Sequence, residues 1–228
     1  MRQVLALLAA PFLLDDPGVT TLFPVDAVSR ARTLLSYFAG GLGAYSDSRG
    51  APGIRQEVAD FIAARDGHPS SPDAIFLTEG ASPSVKYMLT ALIRDERDAI
   101  LCPIPQYPLY SATIALAGGT LLGYELDESQ GWGMHVHALK AQVAGARAKG
   151  LAVRALVFIN PGNPTGQCLT EANLRDIVRF CHEERLVLLA DEVYQENIYQ
   201  VGGSWRRGGL GGLVGVRARR SAARGPTA

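Results

Sequence analysis

From Ala74 to Asp191 short apolar runs alternate with longer amphipathic stretches, and this alternation narrows the possible folds more than any other feature. "AIFLT", "AILC", "TLLGYEL", "RALVFIN" and "LVLLADE" are of strand length and apolar throughout, as strands buried on both faces must be. Between them "SPSVKYMLTALIRDERD" carries Val85, Met88, Leu89, Leu92 and Ile93 at helical spacing, with Ser82 read as N-cap and Pro83 at the first helical position. "YPLYSATIALAGG", "HALKAQVAGARAKG" and "TEANLRDIVRFCHEERL" are further helices, the last capped by Thr170. The expected fold is α/β: a mainly parallel sheet with helices on both faces.

Upstream, two helical pieces fill the first 40 residues, the second with Ala27, Ala31, Leu34, Leu35 and Phe38 on one face and a Gly40-Gly41 stop. A loop, "GLGAYSDSRGAP", leads into "GIRQEVADFIAARDG", whose apolar stripe is Val58, Phe61 and Ile62 and whose end is Gly67.

Composition excludes some classes of partner. Six of the 22 Lys and Arg residues fall after residue 200 and none of the 22 acids does, so the preceding body is mildly acidic and offers no basic stripe for nucleic acid. Cys102, Cys168 and Cys181 form no CxxC pair, which points to reduced thiols in a cytosolic compartment and away from a disulfide or metal framework. The opening "MRQVLALLAAPFLL" is broken by Pro11, followed by Asp15 and Asp16, and too short to span a bilayer.

In a parallel sheet ligands collect at the carboxyl ends of the strands. After "AIFLT" comes "EGAS" and a helix start, where Gly80 lets the backbone approach an anion and N–H groups at Ala81 and Ser82 suit a phosphate. After "AILC", prolines surround Tyr107, a flat ring held for stacking. After "RALVFIN" comes "PGNPTGQ", a stiff turn presenting the amide of Asn163. After "LVLLA" comes "DEVY": Asp191 at the end of an apolar strand calls for a buried positive partner, and Tyr194 follows it. Each feature alone also reads as architecture: a plain helix cap, a rigid turn with a core tyrosine, a β-turn, an acid that caps a helix or pairs an arginine. Together they match a flat, phosphorylated heteroaromatic with a protonated ring nitrogen, which pyridoxal 5'-phosphate is.

"TEGAS", "CPIPQYPLYS", "FINPGNPTGQ" and "ADEVY", in this order and spacing, resemble the fold-type I aminotransferases of class I/II. With "LGAYSDSRGAPGIRQEVADFIAARDG" the likeness is to the alanine aminotransferase group, and glyoxylate-using plant relatives share much of the pattern. The resemblance covers about residues 1–200. It implies reversible amino transfer between L-alanine and 2-oxoglutarate, giving pyruvate and L-glutamate, on a cytoplasmic homodimer that takes small amino and oxo acids. It also implies that Ala81 and Ser82 contact the cofactor phosphate, Tyr107 stacks on the ring, Asn163, Asp191 and Tyr194 address its polar atoms, and Tyr45 reaches the other subunit's cofactor across the dimer.

That family uses a lysine, in a Ser-x-x-Lys setting after "DEVY", to form the Schiff base and shuttle the substrate proton. Lys86, Lys140 and Lys149 all precede that point and none matches the motif, so no catalytic residue is assigned. The expected organisation is a helical segment with a dimer-facing loop at 1–50, a partial cofactor-binding domain at 51–200 with an open sheet edge, and a disordered Gly/Arg-rich tail at 201–228. Such a chain resembles a large-domain segment without its flanks and is expected to be inactive alone. The alternative is a non-catalytic fragment that pairs with or modulates complete subunits. A nucleotide-binding doubly wound domain is disfavoured, since no GxGxxG follows the first strand.

Overall fold

Four of the five apolar runs form parallel strands. The computed structural model describes residues 1–197 and the backbone of 216–219. The chain divides into two compact units after Thr78, whereas the sequence reading set its first boundary at residue 50.

In the first unit α1 (Arg2–Ala9), α2 (Val19–Leu22) and α3 (Val25–Ser36) enclose a small core of Val4, Leu7, Leu8, Leu14, Val19, Ala27, Val28 and Ala31. Helix α4 (Pro52–Asp66) begins with Pro52, whose fixed φ suits a first turn, and ends at Gly67 in the left-handed conformation. Its inward face is Arg55 and Ala59, not the anticipated stripe. Phe61 is exposed, and the Arg65 guanidinium lies over its ring, 5.6 Å from the centroid. A buried arginine outweighs the hydrophobic pattern here because carbonyl and carboxylate acceptors meet it.

The second unit starts with α5 (Ala81–Leu92), followed by β1 (Asp98–Ile104), α6 (Leu109–Leu116), β2 (Thr120–Glu125), α7 (Val136–Ala148), β3 (Ala152–Ile159), α8 (Glu171–Glu183) and β4 (Val187–Asp191). Strand order is β2-β1-β3-β4, all parallel, and β5 (Val216–Arg219) joins β4 antiparallel. The strand pleat sorts side chains by parity. Ile100, Cys102, Ala155, Val157 and Leu189 pack with Val85 and Leu89 of α5 and with Tyr110 and Ile114 of α6. Leu101, Leu156, Phe158, Leu188 and Ala190 pack with Leu139 and Val143 of α7 and with Ile177 and Phe180 of α8. Thr170 caps α8 as expected, its hydroxyl accepting from Asn173 N at 3.2 Å.

Two expectations change. "AIFLT" is not a strand: Pro72–Ala74 is a 3-10 turn, and Leu77 N–H bonds to the Arg49 carbonyl at 2.8 Å. An apolar run becomes a strand only beside a partner that takes its backbone groups, and no strand pairs with it among the described residues. The sheet edge at β4 is not open, because "VRAR", alternating in sequence, pairs along it; for these four residues the tail is a strand. The rest of the tail lies outside the described residues.

At the amino end of β1, Asp98 is fully buried and accepts from the Arg94 backbone N–H, the Arg94 guanidinium and Arg154 Nε at 3.0, 2.9 and 2.6 Å. Cys102 and Cys181 are buried and Cys168 is half-buried. Burial raises all three thiols, Cys181 to about 12. No helix among the described residues is long and apolar enough to cross a membrane.

Candidate functional site

Strands β1, β3 and β4 are adjacent and parallel, so the residues after their carboxyl ends share one edge of the sheet. Tyr107, Asn163, Asp191 and Tyr194 lie at or after the carboxyl ends of β1, β3 and β4, on this edge. Helix α5 ends beside the amino end of β1, where Arg94 holds Asp98, so its own start, with Ala81 and Ser82, points toward the same carboxyl edge.

Pleat parity decides how Asp191 is held. Leu189 faces α5 and α6, so Asp191, two residues on, faces them too. Tyr110, in the first turn of α6, donates its hydroxyl to Asp191 Oδ2 at 2.5 Å, and Val193 N–H donates to Oδ1 at 3.2 Å. Asp191 is 6% exposed and Tyr110 fully buried. Burial, and next the Asp191 carboxylate, push Tyr110 ionisation well above the ordinary phenol range, so the hydroxyl remains a donor throughout the neutral range. Sequence reading did not single out Tyr110. The available signal was a phenol in the first turn of a mainly apolar helix, three residues after Tyr107.

The turn after β3 is closed by backbone and side-chain bonds. Asn160 N–H bonds to the Asp191 carbonyl at 2.8 Å, Asn160 Oδ1 accepts from Leu169 N at 2.9 Å, and Gly162 N–H reaches the Gln167 carbonyl at 2.9 Å. A Cβ on Gly162 would lie 2.2 Å from Thr165 Oγ1, so any larger residue there forces the Thr165 side chain to move. Asn163 is half-buried and lines a small cleft with Pro103, Pro105, Trp132, Met134 and Gln167. Ala81, Ser82, Tyr107, Asp191 and Tyr194 do not line that cleft.

At the start of α5 the cap is Gly80, with φ 114° and ψ 175°, and Ser82 is the second helical residue; this corrects the reading of Ser82 as cap. That backbone geometry is open essentially to glycine alone. No side chain caps this end, the first turn holds no acid, and a Cβ at Gly80 would meet nothing within 4 Å. The helix start therefore combines open space at the glycine with the positive end of the dipole, which suits an anion. Tyr107 and Tyr194 are 43% and 40% exposed, leaving both rings accessible.

Tyr45 belongs to the first unit and is fully exposed. Its loop is clasped by Asp47, which accepts from Arg49 Nη2 at 2.9 Å and Arg55 Nη2 at 3.1 Å. The buried Arg55 also donates to the Gly50 and Pro72 carbonyls at 3.0 and 2.7 Å. Arg49 in particular holds the Asp47 carboxyl down to about 2. Sequence reading did not single out Asp47, Arg49 or Arg55.

An uncapped helix start, accessible rings, an amide and a buried hydrogen-bonded acid are the donor and acceptor types that a phosphorylated heteroaromatic base would use. The fold is that of the fold-type I aminotransferases: an aromatic aminotransferase from Pyrococcus horikoshii superposes with a TM-score of 0.64 at 28% identity, over 76% of this chain and 45% of that one. Residues 18–214 match the model for aminotransferase class I and II, and the chain belongs to this family. It is 64% identical over 199 residues to glutamate–glyoxylate aminotransferase 2 of Arabidopsis thaliana and 60% identical over 199 residues to alanine aminotransferase 2 of Panicum miliaceum. Both alignments take in 87% of this chain and 41% of the relative. The chain thus spans about two fifths of the length of these curated relatives.

Proposed function

We propose that the carboxyl edge of the sheet is a pyridoxal 5'-phosphate site inherited from an alanine or glutamate–glyoxylate aminotransferase lineage, and that this chain alone does not carry out amino transfer. The observation that carries the reading is the buried Asp191 carboxylate, fixed by Tyr110 and Val193 at the strand end nearest the Asn163 turn. Asp191 faces the protonated ring nitrogen, Ala81 and Ser82 offer N–H groups to the phosphate, Tyr107 stacks on the ring, and Asn163 and Tyr194 address the phenolic oxygen. When bound, the cofactor supplies an electron-poor ring that accepts carbanion charge. In the lineage the substrates are L-alanine and 2-oxoglutarate, with glyoxylate use the neighbouring option.

The sequence contains three lysines, Lys86, Lys140 and Lys149, all exposed, with Lys140 paired to Glu183 at 2.7 Å between α7 and α8. None lies in the Ser-x-x-Lys setting after "DEVY" that the family resemblance implies for the Schiff base. Fluorescence titration with pyridoxamine 5'-phosphate tests binding: saturation at one site, weakened by Asp191→Asn, is expected, and no saturable binding refutes the site. A coupled pyruvate assay with alanine tests inactivity: steady turnover, with a borohydride-reduced adduct on one of the three lysines, refutes it.

A second reading, a non-catalytic partner for complete subunits in the cytoplasm, is favoured by the first unit, where Leu5, Phe12, Leu22 and Val25 are all more than half exposed. Tyr45 on its clasped loop belongs to the same surface reading, as the residue that crosses a dimer. Size-exclusion of the chain mixed with a purified complete alanine aminotransferase tests it: co-elution supports pairing, and separate elution at micromolar concentration removes it.

A further inference from the structure

The acid of the proposed cofactor site is itself held by a residue outside that site. Asp191 has a backbone donor on one oxygen and a side-chain donor on the other, and the two donors come from different elements: its own following turn and helix α6. A carboxylate has about four acceptor positions. Two occupied positions stop rotation about the terminal side-chain torsion, otherwise broad and soft, while the remaining lone pairs stay available for one further donor. Tyr110 cannot easily turn away. It is fully buried among Ile100, Cys102, Val157 and Leu189, and its hydroxyl has no solvent to exchange for Asp191.

Resting on the cofactor reading above, we infer that Tyr110 is a positioning residue, whose hydroxyl aims the Asp191 carboxylate at the ring nitrogen of a pyridoxal-type ligand and so maintains that nitrogen in its protonated form. Tyr110 touches neither cofactor nor substrate in this role; it acts through Asp191. The phenol suits the task better than a charged donor. An arginine or lysine here would compete with the pyridinium for the same carboxylate, whereas a neutral hydroxyl orients the acid and leaves its charge for the ligand. Burial raises the phenol's ionisation above its ordinary range, so the hydroxyl is a donor at neutral pH.

The test uses the full chain and pyridoxamine 5'-phosphate labelled with 15N in the ring, which binds without a lysine. Tyr110→Phe removes one buried oxygen and retains the ring that packs between α6 and the sheet; near-ultraviolet circular dichroism verifies that the packing persists. The expected result is at least about tenfold weaker binding, the scale of a lost hydrogen bond to a charged group, with the 15N resonance moving from the pyridinium position toward neutral pyridine. Asp191→Asn should give the same direction of change, and the double variant Tyr110→Phe, Asp191→Asn should bind no more weakly than Asp191→Asn alone, because one residue acts through the other. Wild-type affinity and resonance in Tyr110→Phe would overturn the inference, as would weakened binding with an unmoved resonance or fully additive losses. If wild type shows no saturable binding, or Asp191→Asn binds as wild type does, the cofactor site itself is refuted.

Discussion

The guanidinium of Arg55, buried beside the loop that carries Tyr45, ties the Asp47 carboxylate and Gly50 carbonyl of that loop to the Pro72 carbonyl further along the chain. A planar fork with five donors does this where lysine has only a point charge. Arg55→Lys should lose most of the clasp, and Arg55→Ala should lower stability by about 1–3 kcal/mol, since it removes the donor from three partly buried acceptors. Urea unfolding of the two variants checks the order, and equal midpoints for Lys and wild type would contradict it.

The same clasp makes stability depend on acid. The folded Asp47 carboxyl titrates at about 2, below its ordinary 3.8, so the folded state holds the ionised form more firmly than the unfolded state does. Its contribution is complete above about pH 4 and is lost as pH falls toward 2. Asp47→Asn should therefore be less stable than wild type at pH 7, with the gap narrowing at pH 3, as thermal melts at the two values would reveal.

Asp98 and Lys140 separate a buried ion pair from an exposed one. Asp98 is fully enclosed and answers Arg94 and Arg154 together, so Asp98→Ala should cost about 3–5 kcal/mol. Lys140 meets Glu183 in solvent, and Lys140→Ala should change stability by no more than about 0.5 kcal/mol. Denaturant midpoints of the two single variants give the comparison directly.

Two glycines near the site should fail for different reasons. Gly162→Ala collides with Thr165 Oγ1, so Thr165→Ala should restore much of a loss of about 1–3 kcal/mol. Gly80→Ala has open space for its methyl but holds φ at 114°, so no neighbouring substitution should rescue it, and pyridoxamine phosphate affinity should fall. Measuring both rescues, by unfolding for the first and by ligand titration for the second, distinguishes collision from backbone strain.

Strands β1, β3 and β4 were legible because burial on both faces leaves little polar alternation, β2 because its apolar run is bounded by turn residues, and Thr170 and Gly67 are local signals that tertiary contacts did not override. Where the outcome depended on a distant partner, sequence reading failed. "AIFLT" has the composition of a strand and lacks a neighbour to pair with among the described residues. Phe61 has the spacing of a core residue, yet Arg55 took the inward face through acceptors supplied by residues 47, 50 and 72. The cap at Gly80 was misplaced by two residues because Ser82 is the better capping side chain but cannot adopt the backbone geometry of the turn. In the site, Tyr107, Asn163, Asp191 and Tyr194 were visible as strand-end residues. Tyr110 was not, since only pleat parity and the packing of α6 show which acid a buried phenol will meet.

The three cysteines provide a handle that needs no engineering. Cys102 and Cys181 lie within the two layers of core, and burial suppresses their thiolates, while Cys168 sits half-buried on the loop that closes the Asn163 turn. A maleimide should add once to the native chain, at Cys168, and three times after unfolding. Counting adducts by intact mass therefore follows global opening of the sheet, and the rate of the first addition reports motion of the turn beside the proposed cofactor.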